Sequence, residues 1–188
     1  MATRQLLAMP PIPTVLGCGA KVTPSTAGSS ARAPMRQTVF LNDAQRDALQ
    51  DFLLRLDRDT RGRRFGHVVS DDMLRDHARR ALEEAVCVIG IAADGRLRGV
   101  LELYSCAPQA HCEGALVVET AWRRRGLGSA LLRAAMRHAR DSSLGPIRLI
   151  FARDNWPMRS LVARADAHFD LVLDEICAEV APARSSTI

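Results

Sequence analysis

Between Leu116 and Leu132 the chain reads LVVETAWRRRGLGSALL, an apolar strand followed by a short turn and the start of a helix. Gly126 and Gly128 at the junction let the backbone come close to a ligand, and the unpaired N–H groups of the first helical turn converge at the positive end of the helix dipole. Such an arrangement holds an anion, most naturally a phosphate or pyrophosphate. Arg123 and Arg125, with Arg124 between them, add guanidinium donors beside it. The turn lacks the Gly-Lys-Ser/Thr ending of a P-loop and the first glycine of a dinucleotide fingerprint, so it is neither of the commoner phosphate loops.

Other chemistry-bearing side chains are scattered. His67, His77, His111, His138 and His168 share no short spacing and have no acidic partner at metal-ligand intervals, so the sequence predicts no metal site. Cys18, Cys87, Cys106, Cys112 and Cys177 are odd in number and unpaired in spacing. They read as reduced thiols, mostly small apolar core residues of a cytoplasmic protein.

The surrounding elements follow from periodicity. Gln37–Leu41 reads as a strand, and Asn42 with Gln45 forms a capping box for a helix whose Leu49, Phe52, Leu53 and Leu56 share a face. Residues 57–67 read as a polar connection carrying Arg58, Arg61, Arg63 and Arg64. A second helix begins at Ser70 or Asp71, with Leu74, His77, Ala78 and Ala81 at helical spacing. Residues 85–92 and 97–105 around Asp94-Gly95 read as a hairpin, and 114–119 as the strand that feeds the turn. The helix after the turn carries apolar or small residues at 127, 130, 131, 134 and 135, a stripe wide enough to bury on a sheet. Ile147–Ala152 is a further strand, and a helix opening at Asn155 has Met158, Leu161, Val162 and Ala165 on its buried face.

In that setting Arg123-x-x-Gly126-x-Gly128, preceded by Trp122, resembles the pyrophosphate loop of the GNAT superfamily of acetyl-CoA-dependent N-acetyltransferases, with the context running over residues 37–181. The resemblance implies a mixed α/β (α+β) fold, a mostly antiparallel twisted sheet of six to seven strands flanked by about four helices. It implies acetyl-CoA as acyl donor, transferred to a primary amine by direct attack in a ternary complex. Backbone groups of Val117 and Val118 would meet the pantetheine and thioester. Arg123, Arg124, Arg125, Gly126, Leu127, Gly128 and Ser129 would hold the pyrophosphate, and Asn155 would meet the pantetheine. The family also often places a tyrosine, as general acid, seven residues after this asparagine, and a Gly-Phe pair soon after; here Val162 and Asp166-Ala167 stand in those places. Tyr104 lies on a different strand.

The reaction needs a proton acceptor near the thioester. The positions where family members commonly place it are Cys112 and Gly114, neither of them a convincing base. Glu113, expected on the opposite face, and Glu102 on the hairpin are the carboxylate candidates. Cys112 reads as a buried thiol in preference to a covalent nucleophile. His67 and His111 are expected in loops at the acceptor end of the cleft. If the Arg58 to Arg64 connection covers the acceptor, an acceptor with negative charge near its amine is favoured. One alternative is a catalytically degenerate GNAT domain acting as an acyl-CoA-binding sensor or interaction module. Another is a nucleic-acid binder, disfavoured by an aromatic content of 4%. A homodimer through the C-terminal strands is compatible with the resemblance.

Composition agrees with one soluble domain: 188 residues, 47% apolar and 25% charged. No apolar run approaches the roughly 18 to 20 residues of a membrane span. Residues 1–36 contain no Asp or Glu and five of the nine prolines, and are expected to be a disordered basic extension; an organelle transit peptide fits less well, for want of an amphipathic helix. Residues 182–188 are expected to be a short tail. Of the 26 basic residues behind the net charge of +5, Arg4, Lys21, Arg32 and Arg36 lie in the extension, leaving 22 against 21 acidic ones. The remaining domain is nearly neutral, which weakens the case for a polyanion partner.

Overall fold

The computed structural model describes residues 36–106 and 111–182; the expected tails at 1–36 and 182–188 lie outside the described residues except for Arg36 and Pro182. The elements, in order, are β1 (Gln37–Leu41), a 3-10 turn (Asp43–Gln45), α1 (Arg46–Arg55), α2 (Arg58–Phe65), α3 (Asp71–Glu84), β2 (Cys87–Ala93) and β3 (Arg96–Cys106). They continue with β4 (His111–Val118), a second 3-10 turn (Thr120–Trp122), α4 (Leu127–Asp141), β5 (Ile147–Ala152), α5 (Trp156–Ala163), β6 (His168–Val172) and β7 (Glu175–Val180). The sheet has seven strands in the order β1-β2-β3-β4-β5-β7-β6. Every neighbouring pair is antiparallel except β4 with β5.

Local chemistry sets most boundaries as expected. Asn42 and Gln45 form a reciprocal capping box. Ser70 caps α3 by accepting from the Met73 amide. Asp94 and Gly95, with φ of 52° and 71°, make the tight turn between β2 and β3.

The segment expected to be a plain connection is the main departure. Residues 58–65 form α2, which makes five helices among the described residues against the expected four or so. The Asp57 side chain accepts from the Thr60 amide at its start, and Gly66, with φ 74°, closes it in the left-handed conformation. A helix of this length has little intrinsic stability and no apolar stripe, so hydrophobic periodicity does not reveal it. His111 likewise opens β4 and does not lie in a loop.

Strand β6 at the edge is exposed along its length, whereas the central strands are buried on both faces. On one, α4 supplies Leu127, Leu131, Leu132, Ala134, Ala135 and Ala139, and α5 supplies Val162, against Ile89, Leu101, Leu103 and Leu149. On the other, Leu49, Phe52 and Leu53 of α1 and Leu74, Ala78 and Ala81 of α3 cover Val88, Val100 and Val117. Strands alternate their side chains, so Glu102, Tyr104 and Cys106 share the second face with Val100. The register carries that face across to Ala115, Glu113 and His111 of β4.

Strand β4 and strand β5 stay paired only at Cys112 with Ile147 and Glu113 with Arg148. Beyond that point they diverge, and the sheet opens between them.

Candidate active site

The start of α4 stands beside this opening, where a Cβ at Gly128 would sit 3.9 Å from Leu116 of β4. Gly126, with φ 82°, is the N-cap of α4 and makes no side-chain cap, so the first-turn amides keep no side-chain partner. The Ala130 amide bonds the Gly126 carbonyl, leaving those of Leu127, Gly128 and Ser129 at the exposed helix start. A Cβ on Gly126 would meet nothing within 4 Å, and one on Gly128 would sit 3.4 Å from Leu161. The approach to the helix is therefore open on its outer side.

The arginines before the helix do different work. Arg123 turns inward, donating from Nε to the Val118 carbonyl at 3.2 Å and from a terminal nitrogen to Thr60 Oγ1 at 2.5 Å. Thr60 and Thr120 in turn donate to Asp57 Oδ2 at 2.8 and 2.6 Å. The two threonines, chiefly Thr120, hold the Asp57 carboxyl well below the usual range. This cluster ties α2 to the turn in front of α4. Arg124 sits in the left-handed region at φ 59°. Arg125 and Arg98 both lie 4.9 Å from the ring centre of Trp122, and Arg125 is exposed beside the α4 start.

Along the opening runs a cleft of about 330 Å³. Gly114, Ala115 and Leu116 of β4 form one wall, and Leu149, Ile150 and Phe151 of β5 form the other. Asn155 and Met158 close it from the α5 side. Asn155 caps α5 through its carbonyl oxygen, which accepts from the Met158 amide at 3.3 Å. Its side-chain NH2 is a donor that the cap does not use.

Arg64 and Arg63 of α2, His77 of α3 and Tyr104 of β3 complete the lining, with Glu113 and Arg148 at its rim. Behind them Glu102 is fully buried. Its carboxylate accepts from Arg64 at 2.5 Å and Tyr104 at 2.9 Å, and His77 Nε2 stands 3.1 Å away. Burial alone would raise the Glu102 carboxyl; the Arg64 guanidinium, with His77 and Tyr104, outweighs it and holds the group below its ordinary value. Burial, and then the Glu102 charge, push the Tyr104 hydroxyl above its ordinary value. Phe65 meets the His77 ring edge-on at 5.0 Å between centroids. A neighbouring trough of about 1450 Å³, lined by Arg58, Arg61, Arg63, Arg64, His67 and Glu175 among others, continues the cleft beneath α2.

A helix N-terminus bare of side-chain caps, beside a gap between two splayed strands, is a place to hold a long phosphorylated ligand. The family model described as "Acetyltransferase (GNAT) family" matches residues 49–165. The chain belongs to the GNAT acetyltransferase family.

This GNAT chain shares its fold with many solved structures. The GNAT domain of S. lividans PAT superposes with a TM-score of 0.68 at 15% identity, covering 78% of this chain and 90% of that one. The PaiA N-acetyltransferase from Thermoplasma acidophilum, in complex with coenzyme A, gives 0.60 at 16% identity over 78% and 99%. The ribosomal-protein-S18-alanine N-acetyltransferase from Escherichia coli gives 0.61 at 13% over 81% and 97%. No curated protein is significantly similar in sequence.

The GNAT fold gathers Leu116, Asn155 and Met158 along the cleft and sets Gly126 to Ser129 at the α4 start. Val117 faces the α1–α3 core and is 5% exposed, while Val118 belongs to the α4 side. Val162 is fully buried in the core, so that position brings no polar group to the cleft. Glu113 lies on the face opposite Val118, as alternation requires, and that is the face on which its cross-strand partner Tyr104 lines the cleft with Arg64 and His77. The two carboxylates differ in kind: Glu113 is exposed at the rim, and Glu102 is sealed beneath it. His77 appeared in the sequence only as a residue on the apolar face of a helix. Its placement over Glu102 depends on how α3 crosses β3, for which the sequence carries no local signal.

Proposed function

We propose that this acetyltransferase moves the acetyl group of acetyl-CoA directly to a primary amine in a ternary complex. One observation carries the reading: the uncapped α4 N-terminus stands against Leu116 on the β4 wall of a cleft that is also lined by His77, whose ring meets the buried Glu102 carboxylate. In this reading the Leu127, Gly128 and Ser129 amides and Arg125 bind the pyrophosphate. Arg123 braces the turn from behind. The pantetheine lies along Leu116 to Val118, where β4 has left β5, and meets the Asn155 amide group. Acetyl-CoA supplies the activated acyl group.

The amine must lose a proton as it attacks. His77 is the group we assign to accept it, with Nε2–H donated to Glu102 and the ring thereby held in one orientation. Glu102 is a positioning residue, because its oxygens are engaged by Arg64, His77 and Tyr104 and it is closed to solvent. Glu113 is the second proton acceptor to be tested.

The test is thiol release from acetyl-CoA across a panel of amines, with H77Q and E113Q beside the native chain. Turnover with at least one amine, reduced about 10²- to 10⁴-fold in H77Q, is expected for a lost general base. Full activity in H77Q with loss in E113Q moves the base to Glu113. Tight acetyl-CoA binding without turnover on any amine identifies a sensor or interaction module instead.

A further inference from the structure

We infer that Cys106, His111 and Glu113 form a binding site for one divalent transition-metal ion of the zinc class, at the end of the β3–β4 hairpin beside the cleft. Their ligand atoms lie within 4.8 Å of one another. The sheet register accounts for the grouping. Cys106 is the cross-strand partner of His111, and Tyr104 is that of Glu113, so all four side chains stand on one face. In sequence the three are Cys-x4-His-x-Glu across a hairpin, a spacing that matches no contiguous metal motif.

The donor set selects the ion. A thiolate and an imidazole suit zinc and its neighbours, whereas calcium and magnesium require oxygen ligands. Tetrahedral zinc, with bonds of about 2.0–2.3 Å, holds its ligand atoms roughly 3.3–3.8 Å apart. Closing the present group to that size takes about 1 Å of side-chain movement, within the range of χ rotation at a strand end.

Arg148, across from Glu113 on β5, gives its Nε to Glu179 at 3.0 Å. The Glu113 carboxylate meets the Cys106 thiol, so the ion would take the place of the thiol proton between two of its own ligands. His111 is 9% exposed. Three protein ligands leave a fourth position for water or another donor. Metal ligation and proton transfer exclude each other at Glu113.

The experiment is a titration of the chelator-stripped full chain with Zn²⁺ alone, read by competition with a chromogenic chelator, and with Co²⁺, read by absorbance. One Zn²⁺ per chain and a thiolate-to-cobalt charge-transfer band are expected. C106S should abolish the band and, like H111Q, weaken Zn²⁺ by more than about tenfold. C106S leaves Cys18, Cys87, Cys112 and Cys177 in place, so its loss tests this triad against the other thiols. Zn²⁺ should also raise the unfolding midpoint of the native chain and leave that of C106S unmoved, which separates lost ligation from a damaged fold. No bound ion, or an affinity in C106S or H111Q equal to that of the native chain, overturns the site. The readout does not involve acetyl transfer, so either outcome leaves the acyltransferase reading where it stands.

Discussion

Replacing Glu102 by leucine leaves the Arg64 guanidinium, the His77 ring and the Tyr104 hydroxyl facing an apolar side chain. Glu102 is 0% exposed and the Arg64 side chain 12%, so the guanidinium, which meets solvent only on its cleft side, loses its acceptor on the buried side. Removing one partner of such a buried pair costs about 3–5 kcal/mol, because the other charge is left uncompensated. E102Q keeps the shape and one acceptor oxygen but turns an amide donor toward other donors, for an expected loss of about 1–3 kcal/mol. R64M exposes the complementary defect, and E102L/R64M removes both charges at once. The double variant should therefore be less destabilised than the two single changes combined, with a coupling of about 1–3 kcal/mol. Urea unfolding at neutral pH, followed by far-UV circular dichroism, measures all four changes. A loss below about 1 kcal/mol in E102L, or strict additivity in the double variant, would refute the argument that this ion pair organises the floor of the cleft.

The same network sets a pH dependence. The folded state holds the Glu102 carboxyl below its ordinary value, so its stabilising contribution is complete above about pH 4.3 and is lost as pH falls through the lower folded value; urea midpoints should fall over that acid range in the native chain and fall less in E102L. At the loop, G126A is expected to cost about 1–2 kcal/mol from its left-handed backbone alone, since its Cβ meets nothing within 4 Å. G128A, whose Cβ makes ordinary contact with Leu161, should leave stability unchanged or raise it by up to about 1 kcal/mol, yet weaken acetyl-CoA by more than about tenfold in calorimetry if the backbone there meets the pyrophosphate; unchanged affinity removes the loop assignment. G114A places a Cβ 2.9 Å from both Ile147 and Leu149 and should cost about 1–3 kcal/mol by overpacking beside the β4–β5 seam, measured by thermal unfolding.

What could be read from the sequence was local. The α4 turn announces itself because Gly126, Gly128 and the apolar stripe behind them are contiguous, and its chemistry belongs to backbone amides whose position follows once the helix is placed. β1, the capping box, α3, β5 and α5 were equally legible from caps and periodicity. α2 was not, since Arg58, Asp59, Arg61, Arg63 and Arg64 give it no apolar face. Asp57 with Thr60 and the closing Gly66 were the available signal, a cap at each end of a polar run. His77 and Arg64 could not be connected to Glu102 in advance, because the separations of 25 and 38 residues are bridged only by helix packing and sheet register.

That difference bears on how the two halves of the proposed site work together. The cofactor half rests on a single turn, whereas the acceptor half draws Arg64 from α2, His77 from α3 and Tyr104 from β3. One cluster touches both. Asp57 caps α2, Thr60 and Thr120 share its carboxylate, and Arg123 reaches from the turn before α4 to Thr60. An Arg123 that braces α2 is a different element from an Arg123 that merely neutralises phosphate. If it neutralises only, R123A weakens acetyl-CoA and leaves the amine site intact. If it braces, the same change loosens α2, and Arg64 with it, so the amine KM rises together with the acetyl-CoA Kd. T60V separates the two, because it removes the Arg123 acceptor and one Asp57 donor without altering charge at the turn. A rise in amine KM in T60V at unchanged acetyl-CoA affinity would establish the brace.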